Sequence, residues 1–179
     1  KIEGFDDSWD LVDPHSGEIK KTVSAKTLWV KLIQNRVETG EPYIMFKDTV
    51  QEAVPEFQQN LGLTVHHSNL CSEITLATDK DRTAVCCLSS VNLEEYDEWK
   101  DNDDFIPDLV RMLDNVIEFF INNAPDQLSR ASYSAMRERS LGLGAMGFHA
   151  YLQRHSIPFE SAMAKGRNLQ MFGRIKGEA

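Results

Sequence analysis

The amino-acid sequence predicts an α/β fold, because segments typical of strands alternate with segments typical of helices. The clearest helix is predicted at residues 106–122, where apolar residues recur at helical spacing and form a wide stripe. Two strands are predicted at residues 71–77 and 83–91, joined by the charged loop 79–82. The length of 179 residues suits one domain or a large piece of one.

The first third of the chain is predicted to begin with a hairpin that leads into a helix. Ser24 is a suitable N-cap for this helix, and Gly40 is placed to end it. Pro55 interrupts a later segment of helical or irregular character. The predicted elements are a hairpin at 8–22, a helix from 24 to 38, a strand at 42–46 and the interrupted connection at 48–59.

The last part of the chain is predicted to be mainly helical. Asp126 is placed to cap the helix that follows the apolar stripe. The glycines within 142–147 predict a bend between two helices. The predicted elements are helices at 106–122 and 126–139, the glycine-rich bend at 142–147, a helix that reaches about residue 153, and a helix at 161–175.

Composition excludes several classes of protein. The net charge of −9 argues against direct binding of nucleic acid, which needs basic stripes. No apolar run reaches the length of a membrane span and no signal peptide heads the chain, so no membrane contact is expected. Three cysteines do not make a disulfide framework, and working thiols persist in a reducing compartment such as the cytoplasm. The start at Lys1 and the end at 175–179 predict a segment of a longer protein.

A carboxamide, a thiol and a carboxylate occur within five residues, at Asn69, Cys71 and Glu73. In an extended segment alternate side chains share a face, so these three groups would project to one side. Core packing does not explain this combination, since a buried and unpaired carboxylate costs several kcal/mol. A pair of thiols follows at Cys86 and Cys87. The sequence therefore predicts a site where sulfur chemistry and acid–base chemistry meet.

Five separated blocks of sequence carry a resemblance to a known family. They are Glu-Thr-Gly-Glu-Pro-Tyr at 38–43, Asn-Leu-Cys-Ser-Glu at 69–73, Ala-Val-Cys-Cys-Leu-Ser-Ser-Val-Asn-Leu at 84–93, Arg-Ser-Leu-Gly-Leu-Gly-Ala-Met-Gly at 139–147, and Ile-Pro-Phe-Glu-Ser-Ala at 157–162. In this order the blocks resemble the class I large (catalytic) subunit of ribonucleotide reductase. The resemblance implies an incomplete, central section of a ten-stranded α/β barrel whose radical cysteine lies on a finger loop. The whole chain, 1–179, would be one segment of this barrel domain, with a hairpin region at 1–23 and barrel strands and helices at 24–179.

The resemblance implies a role for each residue around the first thiol. The reaction would replace the 2′-hydroxyl of a ribonucleotide with hydrogen, starting from a thiyl radical. Cys71 matches the radical cysteine that removes the 3′ hydrogen. Glu73 matches the general base that takes the 3′-hydroxyl proton, a transfer that typically contributes roughly 100- to 10,000-fold to the rate. Asn69, together with Ser68, matches the positions that bind the substrate.

The reductant would be a dithiol, and Cys86 matches one of its halves. The other half is expected outside this chain. Cys87 is the rival by sequence, but successive residues of a strand face opposite ways, so only one of the two can face the substrate.

The same resemblance implies partners that this chain would need. The substrate would be a ribonucleoside diphosphate, and a small subunit with a dinuclear metal centre would supply the radical. Thioredoxin or glutaredoxin would restore the dithiol, and ATP or deoxynucleotide effectors would bind regions that this chain lacks. The remaining segments of the large subunit would complete a dimer. No metal or cofactor is expected in this chain, and the isolated chain is expected to be inactive.

Several alternatives remain. A cobalamin-dependent relative shares the Asn-x-Cys-x-Glu core, and a non-catalytic structural or interaction module would retain the motif without the reaction. A dinucleotide-binding protein is rejected: the glycine spacing at 142–147 matches, but no apolar strand precedes it and no acidic residue ends a second strand roughly 20 residues on. A metal site at Cys86 and Cys87 lacks a C-x-x-C pattern, and His66 and His67 lack tetrahedral spacing.

Overall fold

The computed structural model describes residues 7–179, and its elements confirm the predicted α/β class. Among these residues, four strands form two separate two-stranded sheets, accompanied by eight α-helices. The strands are β1 (Ser8–Val12), β2 (Ile19–Ser24), β3 (Cys87–Asn92) and β4 (Leu141–Met146). The helices are α1 (Ala25–Thr39), α2 (Lys47–Ala53), α3 (Glu56–Asn60), α4 (Tyr96–Trp99), α5 (Phe105–Asn123), α6 (Ser129–Glu138), α7 (Phe148–Arg154) and α8 (Ala162–Glu178). Residues 1–6 of the predicted hairpin region lie outside the described residues.

The predicted hairpin and first helix are confirmed. Strands β1 and β2 pair antiparallel, and α1 follows directly. The Ser24 hydroxyl accepts a hydrogen bond from the Thr27 backbone N–H, 3.0 Å away, and so satisfies a donor that the first turn of the helix leaves free. Gly40 ends the helix with a φ of 81°, a left-handed conformation that glycine adopts without a Cβ clash. Local capping chemistry therefore decides both ends of α1.

The second sheet joins β3 to β4 in parallel, with Leu88 opposite Gly142 and Asn92 opposite Met146. Parallel neighbours need a long crossover, and here the connection contains α4, α5 and α6. The predicted glycine-rich bend at 142–147 is therefore wrong, because most of this segment is strand β4. Only Gly147 has the left-handed backbone of a turn, with a φ of 78°, and it ends β4 just before α7.

Two other predicted strands are also wrong. Residues 42–46 and 71–77 do not form strands. Of the predicted strand at 83–91, only the part that belongs to β3 (Cys87–Asn92) is a strand. An alternating or apolar pattern is a local signal, whereas a strand exists only where a second strand accepts its hydrogen bonds. Within residues 7–179, neither of the two failed segments has such a neighbour. The charged loop at 79–82 does form a tight turn, in which the Asp79 N–H donates to the Arg82 carbonyl at 3.1 Å.

The remaining helices follow the predictions closely. Helix α5 is the predicted apolar-stripe helix, α2 and α3 are separated at Pro55, and α8 begins at the Ser161 cap. Asp126 was expected to cap the next helix, but it lies inside a 3₁₀ turn, Asp126–Leu128, that leads into α6. No helix formed by the described residues is both long enough and apolar enough to cross a membrane.

The main hydrophobic core lies around the β3–β4 sheet and the helices that follow its strands. Its largest members are fully buried aromatic and aliphatic side chains from β3, α5, α7 and α8. The buried residues of this cluster are Val91, Leu93, Tyr96, Trp99, Ile106, Tyr151, Leu152, Ile157, Ala164, Met171 and Ile175. The parallel strand pair is therefore a rigid base. It fixes the position of the first residue of β3 and of Cys86, which comes just before it.

Helix α8 offers a test of this core. Met171 is 0% exposed and Leu169, on the same helix, is 64% exposed. Met171→Ala is expected to lower the free energy of unfolding by about 2–5 kcal/mol, because it removes buried methylene groups and leaves a cavity. Leu169→Ala is the matched control and is expected to change it by less than about 0.5 kcal/mol. Urea denaturation measures both, and equal losses would contradict the placement of α8.

Candidate active site

The first predicted site segment is a tight turn, residues 68–74, which we call the thiol turn. The Ser72 backbone N–H donates to the Asn69 carbonyl at 3.1 Å, and Ser72 has a φ of 67°. This left-handed conformation interrupts an extended run, so the prediction that alternate side chains share the face of a strand is wrong. The turn nevertheless brings two of the three predicted groups into direct contact.

Asn69 holds the thiol turn closed through its side chain. Its Oδ1 accepts a hydrogen bond from the Ile74 backbone N–H at 3.0 Å, and its Nδ2 donates to Glu73 Oε1 at 2.7 Å. The Ser68 hydroxyl donates to the Ile74 carbonyl at 2.6 Å and lies 3.2 Å from Asn69 Oδ1. Since a hydroxyl has one proton, the shorter contact to Ile74 uses it. The carboxylate of Glu73 is thus held by a side chain four residues before it.

Cys71 projects from this turn as a free and exposed cysteine. Its neighbour Leu70 is 87% exposed as well. Cys71 is therefore not part of the hydrophobic core. A thiol in this position is open to a reacting partner, which a cysteine sealed in the core is not.

Cys86 lies just before β3, half-buried and free. Burial raises the pKa of the Cys86 thiol above its ordinary value, and electrostatic interaction with Cys87 and with the Glu73 carboxylate raises it further. The influence of Glu73 places its carboxylate within electrostatic range of Cys86. Three of the predicted side chains are therefore connected. Asn69 forms a hydrogen bond with Glu73, and the charge of Glu73 acts on the Cys86 thiol.

The segment between the thiol turn and β3 is anchored to α6. The Arg82 guanidinium donates to the Glu138 carboxylate, and these two side chains are only 10% and 8% exposed. The Thr83 N–H also donates to the Arg130 carbonyl at 3.3 Å. Breaking one partner of such a buried pair would leave an uncompensated charge, so the anchor holds the approach to Cys86 in one place.

A small cleft of about 190 Å³ lies beside the thiol turn. It is lined by His67, Ser68, Asn69, Ile74, Leu76, Thr78, Thr83 and Ala84. Pockets that bury a drug-sized ligand usually measure about 300–1,000 Å³, so this cleft is too small to enclose a nucleotide. In the part of the chain that the structure describes, no group of three or more His, Cys, Asp or Glu side chains is placed to hold a metal ion.

The sequence did not reveal the part played by Ile74. Its backbone N–H and carbonyl bind Asn69 and Ser68, and a backbone contact leaves no signal in the identity of a side chain. The space at Gly142 next to Cys86 was also missed, because it depends on the pairing of β3 with β4.

Comparisons with known proteins agree on one family. The family model described as "Ribonucleotide reductase, barrel domain" matches residues 3–179. The chain is 51% identical, over 167 residues, to the ribonucleoside-diphosphate reductase large subunit of Invertebrate iridescent virus 3, covering 93% of this chain and 26% of the relative. It is 36% identical, over 165 residues, to the large subunit of Caenorhabditis elegans, covering 89% of this chain and 20% of the relative.

A solved structure is similar as well. It is the Actinobacillus ureae class Id ribonucleotide reductase alpha subunit, with a TM-score of 0.78 and 42% sequence identity. The similarity covers 86% of this chain and 30% of that one. The chain thus spans about a quarter of the length of the proteins that it matches, with shares of 20%, 26% and 30% in these three cases.

The pKa of Cys86 can be tested by alkylation. The thiolate is the reactive form, so a raised pKa moves the onset of reaction with iodoacetamide to higher pH than for an ordinary thiol. Glu73→Gln removes a nearby negative charge and is expected to lower the pKa of Cys86 towards its ordinary value. The rate is followed against pH by mass spectrometry in a Cys87→Ser background, which makes the labelled peptide unambiguous.

Glu56→Gln is the control, because it removes an exposed carboxylate that is not among the causes of the Cys86 shift. An unchanged Cys86 profile after Glu73→Gln would contradict the electrostatic contact between the two groups.

Proposed function

Since the chain belongs to the ribonucleotide reductase large-subunit family and matches its barrel domain, we propose that it carries the radical half of a ribonucleoside-diphosphate reductase active site. One observation supports this most directly: an exposed Cys71 thiol lies on the same turn as a carboxylate that Asn69 holds at 2.7 Å. A hydrogen-atom acceptor and a proton acceptor are thus presented together. By this proposal residues 24–179 supply strands and helices of the barrel, and residues 1–23 form the hairpin region before it.

The first steps use the thiol turn. A thiyl radical on Cys71 takes the 3′ hydrogen of the ribose, so an S–H bond forms as the C3′–H bond breaks. Glu73 accepts the proton of the 3′-hydroxyl as the general base. Asn69 fixes the carboxylate and hydrogen-bonds the sugar, which holds the reacting geometry. The Ser68 hydroxyl uses its one hydrogen in the hydrogen bond to the Ile74 carbonyl. Towards the substrate its oxygen therefore acts as a hydrogen-bond acceptor.

The later steps use Cys86. The 2′-hydroxyl leaves as water after it receives a proton from Cys86. The C2′–H bond then forms with the hydrogen of the second thiol, the two electrons come from the two sulfurs as they join in a disulfide, and Glu73 returns its proton to the 3′ oxygen. Cys71 then returns its hydrogen to C3′, which regenerates the thiyl radical. The raised pKa of Cys86 supports this role, because a thiol must be protonated before it can protonate a leaving group.

Cys86 is preferred to Cys87 on geometric grounds. Cys87 is the first residue of β3 and pairs with Leu141, and successive strand residues point to opposite faces. Glu73 is among the groups that raise the pKa of Cys86, which supports Cys86 as the thiol that works beside this carboxylate.

The partners follow from the same proposal. The substrate is a ribonucleoside diphosphate, and a separate small subunit with a dinuclear metal centre supplies the radical. Thioredoxin or glutaredoxin reduces the disulfide, while ATP and deoxynucleotide effectors, the second active-site thiol and the dimer contacts belong to other segments of the large subunit. The similarity to a class Id alpha subunit favours this class I assignment over the cobalamin-dependent alternative. We assign the enzyme to the cytoplasm, where its thiols stay reduced.

A chimeric subunit tests the proposal. This chain would replace the matching region of the Invertebrate iridescent virus 3 large subunit, to which it is 51% identical. The chimera, a radical-generating small subunit and a dithiol are expected to convert a ribonucleoside diphosphate into its deoxy form, measured by chromatography. The isolated chain is expected to give no product, because its cleft is too small to enclose a nucleotide and it lacks the second thiol of the pair.

Cys71→Ser in the chimera is expected to abolish turnover, because the O–H bond of serine is too strong to be regenerated as a radical. Glu73→Gln is expected to lower the rate by roughly 100- to 10,000-fold. Unchanged turnover in Cys71→Ser would remove the radical role and support a non-catalytic module instead. An inactive chimera beside an active parent subunit would also count against the proposal.

The two adjacent cysteines provide a matched pair. Cys86→Ser is expected to stop multiple turnover, because no disulfide can form, whereas Cys87→Ser is expected to keep most of the activity. The yield of deoxynucleotide per subunit measures both variants. The opposite pattern would assign the redox role to Cys87.

A further inference from the structure

Gly142 lies against the Cys86 thiol across the parallel sheet. In the register of the two strands, Gly142 is opposite Leu88, and Leu88 and Cys86 share a face because they are two residues apart. A Cβ atom placed on Gly142 would lie 2.2 Å from Leu88 Cδ2 and 3.5 Å from Cys86 Sγ. The methyl group of Leu88 thus occupies the space of a side chain at position 142, and the thiol borders that space.

The requirement for glycine here concerns space, not backbone conformation. Gly142 is a paired residue of β4 and lacks the positive φ that Gly147 has. A separation of 2.2 Å is far inside the 3.5–4.0 Å of an ordinary carbon contact, so any side chain at 142 must displace Leu88. It would also cover one side of the Cys86 sulfur.

To form a disulfide, a second thiol must be able to reach the Cys86 sulfur. A second sulfur must come within about 2.05 Å of Sγ, with a restricted dihedral angle, so a disulfide forms only from a limited set of directions. Cys86 is already half-buried, which closes part of these directions. The direction across Gly142 is covered only by the flexible end of the exposed Leu88 side chain, which can turn away, whereas a Cβ at position 142 would be fixed in place.

We propose that Gly142 is a positioning residue for the redox step: by carrying no side chain, it keeps the Cys86 sulfur open to a second thiol. This inference rests on the proposed role of Cys86. It concerns access to one sulfur atom and can be measured without nucleotide, so its outcome is independent of whether Cys71 carries the radical.

The experiment uses thiol–disulfide exchange with dithiodipyridine on the 179-residue chain in a Cys87→Ser background. The Cys86 thiolate, its proton lost to solvent, attacks one sulfur of the reagent. A new S–S bond forms at Cys86, the S–S bond of the reagent breaks, and the released thiopyridine leaves with the electron pair. Peptide mass spectrometry gives the rate at Cys86, and the exposed Cys71 in the same molecule serves as the internal reference.

Gly142→Ala is expected to slow the reaction of Cys86 several-fold and to leave that of Cys71 unchanged. Gly144→Ala is the matched control: it adds the same methyl group to the same strand, where the new Cβ meets Ser90 Oγ at 3.2 Å and no sulfur. The double variant with Leu88→Ala is expected to recover much of the rate, because the displaced side chain is then absent.

Three outcomes would overturn the proposal. The first is an unchanged Cys86 rate in Gly142→Ala, and the second is an equal loss in Gly144→Ala. The third is a faster reaction of Cys86 in Gly142→Ala, approaching the rate measured for the chain unfolded in urea. That result would show that the substitution opens the strand and that Gly142 serves packing alone.

A second measurement connects access to turnover. In the chimeric subunit, Gly142→Ala is expected to lower kcat with dithiothreitol as reductant and to leave the KM for the nucleotide unchanged. An unchanged kcat in a variant whose Cys86 labelling is slowed would refute the redox role of Gly142. Failure of the Cys71→Ser prediction would instead refute the proposed function and leave the labelling result standing.

Discussion

The carboxamide of Asn69 closes the thiol turn and fixes the carboxylate of Glu73, and the arrangement of the site depends on it. A carboxamide can accept from a backbone N–H and donate to a carboxylate at the same time. An aspartate at this position would keep the acceptor but lose the donor, and it would set two negative charges against each other. The left-handed Ser72 and the Ser68–Ile74 hydrogen bond complete a turn that leaves Cys71 exposed at its tip.

The parallel pairing of β3 with β4 is the second constraint, because it determines what surrounds Cys86. The crossover that connects these strands carries α5 and α6, and α6 in turn holds Arg82 through Glu138. The chain between the thiol turn and β3 is therefore tied to the same layer of helices as the sheet. This common support explains how Glu73 of the thiol turn comes to act electrostatically on Cys86, just before β3.

The sequence predicted best those features that depend on neighbouring residues. The Ser24 cap, the Gly40 terminus and the apolar stripe of α5 are local signals, and the structure confirms the helices that they indicate. Strand β4 was missed because its glycines are typical of a bend, and only their contact with β3 makes them a strand.

The site shows the same division between local and distant signals. The residue types at 69–73 pointed to the right segment, but their predicted extended shape was wrong. The fold of the thiol turn depends on the conformation of Ser72 and on the backbone of Ile74, neither of which has a signature in the sequence.

The shared field of Glu73 has a consequence for the timing of proton movements. Its negative charge helps to keep the Cys86 proton in place. When Glu73 gains a proton that charge disappears, so the thiol becomes a stronger acid at that moment. On the proposed roles, uptake of a proton at one hydroxyl of the ribose prepares the release of another proton at its neighbour. The two transfers are then ordered by electrostatics, without any movement of the backbone.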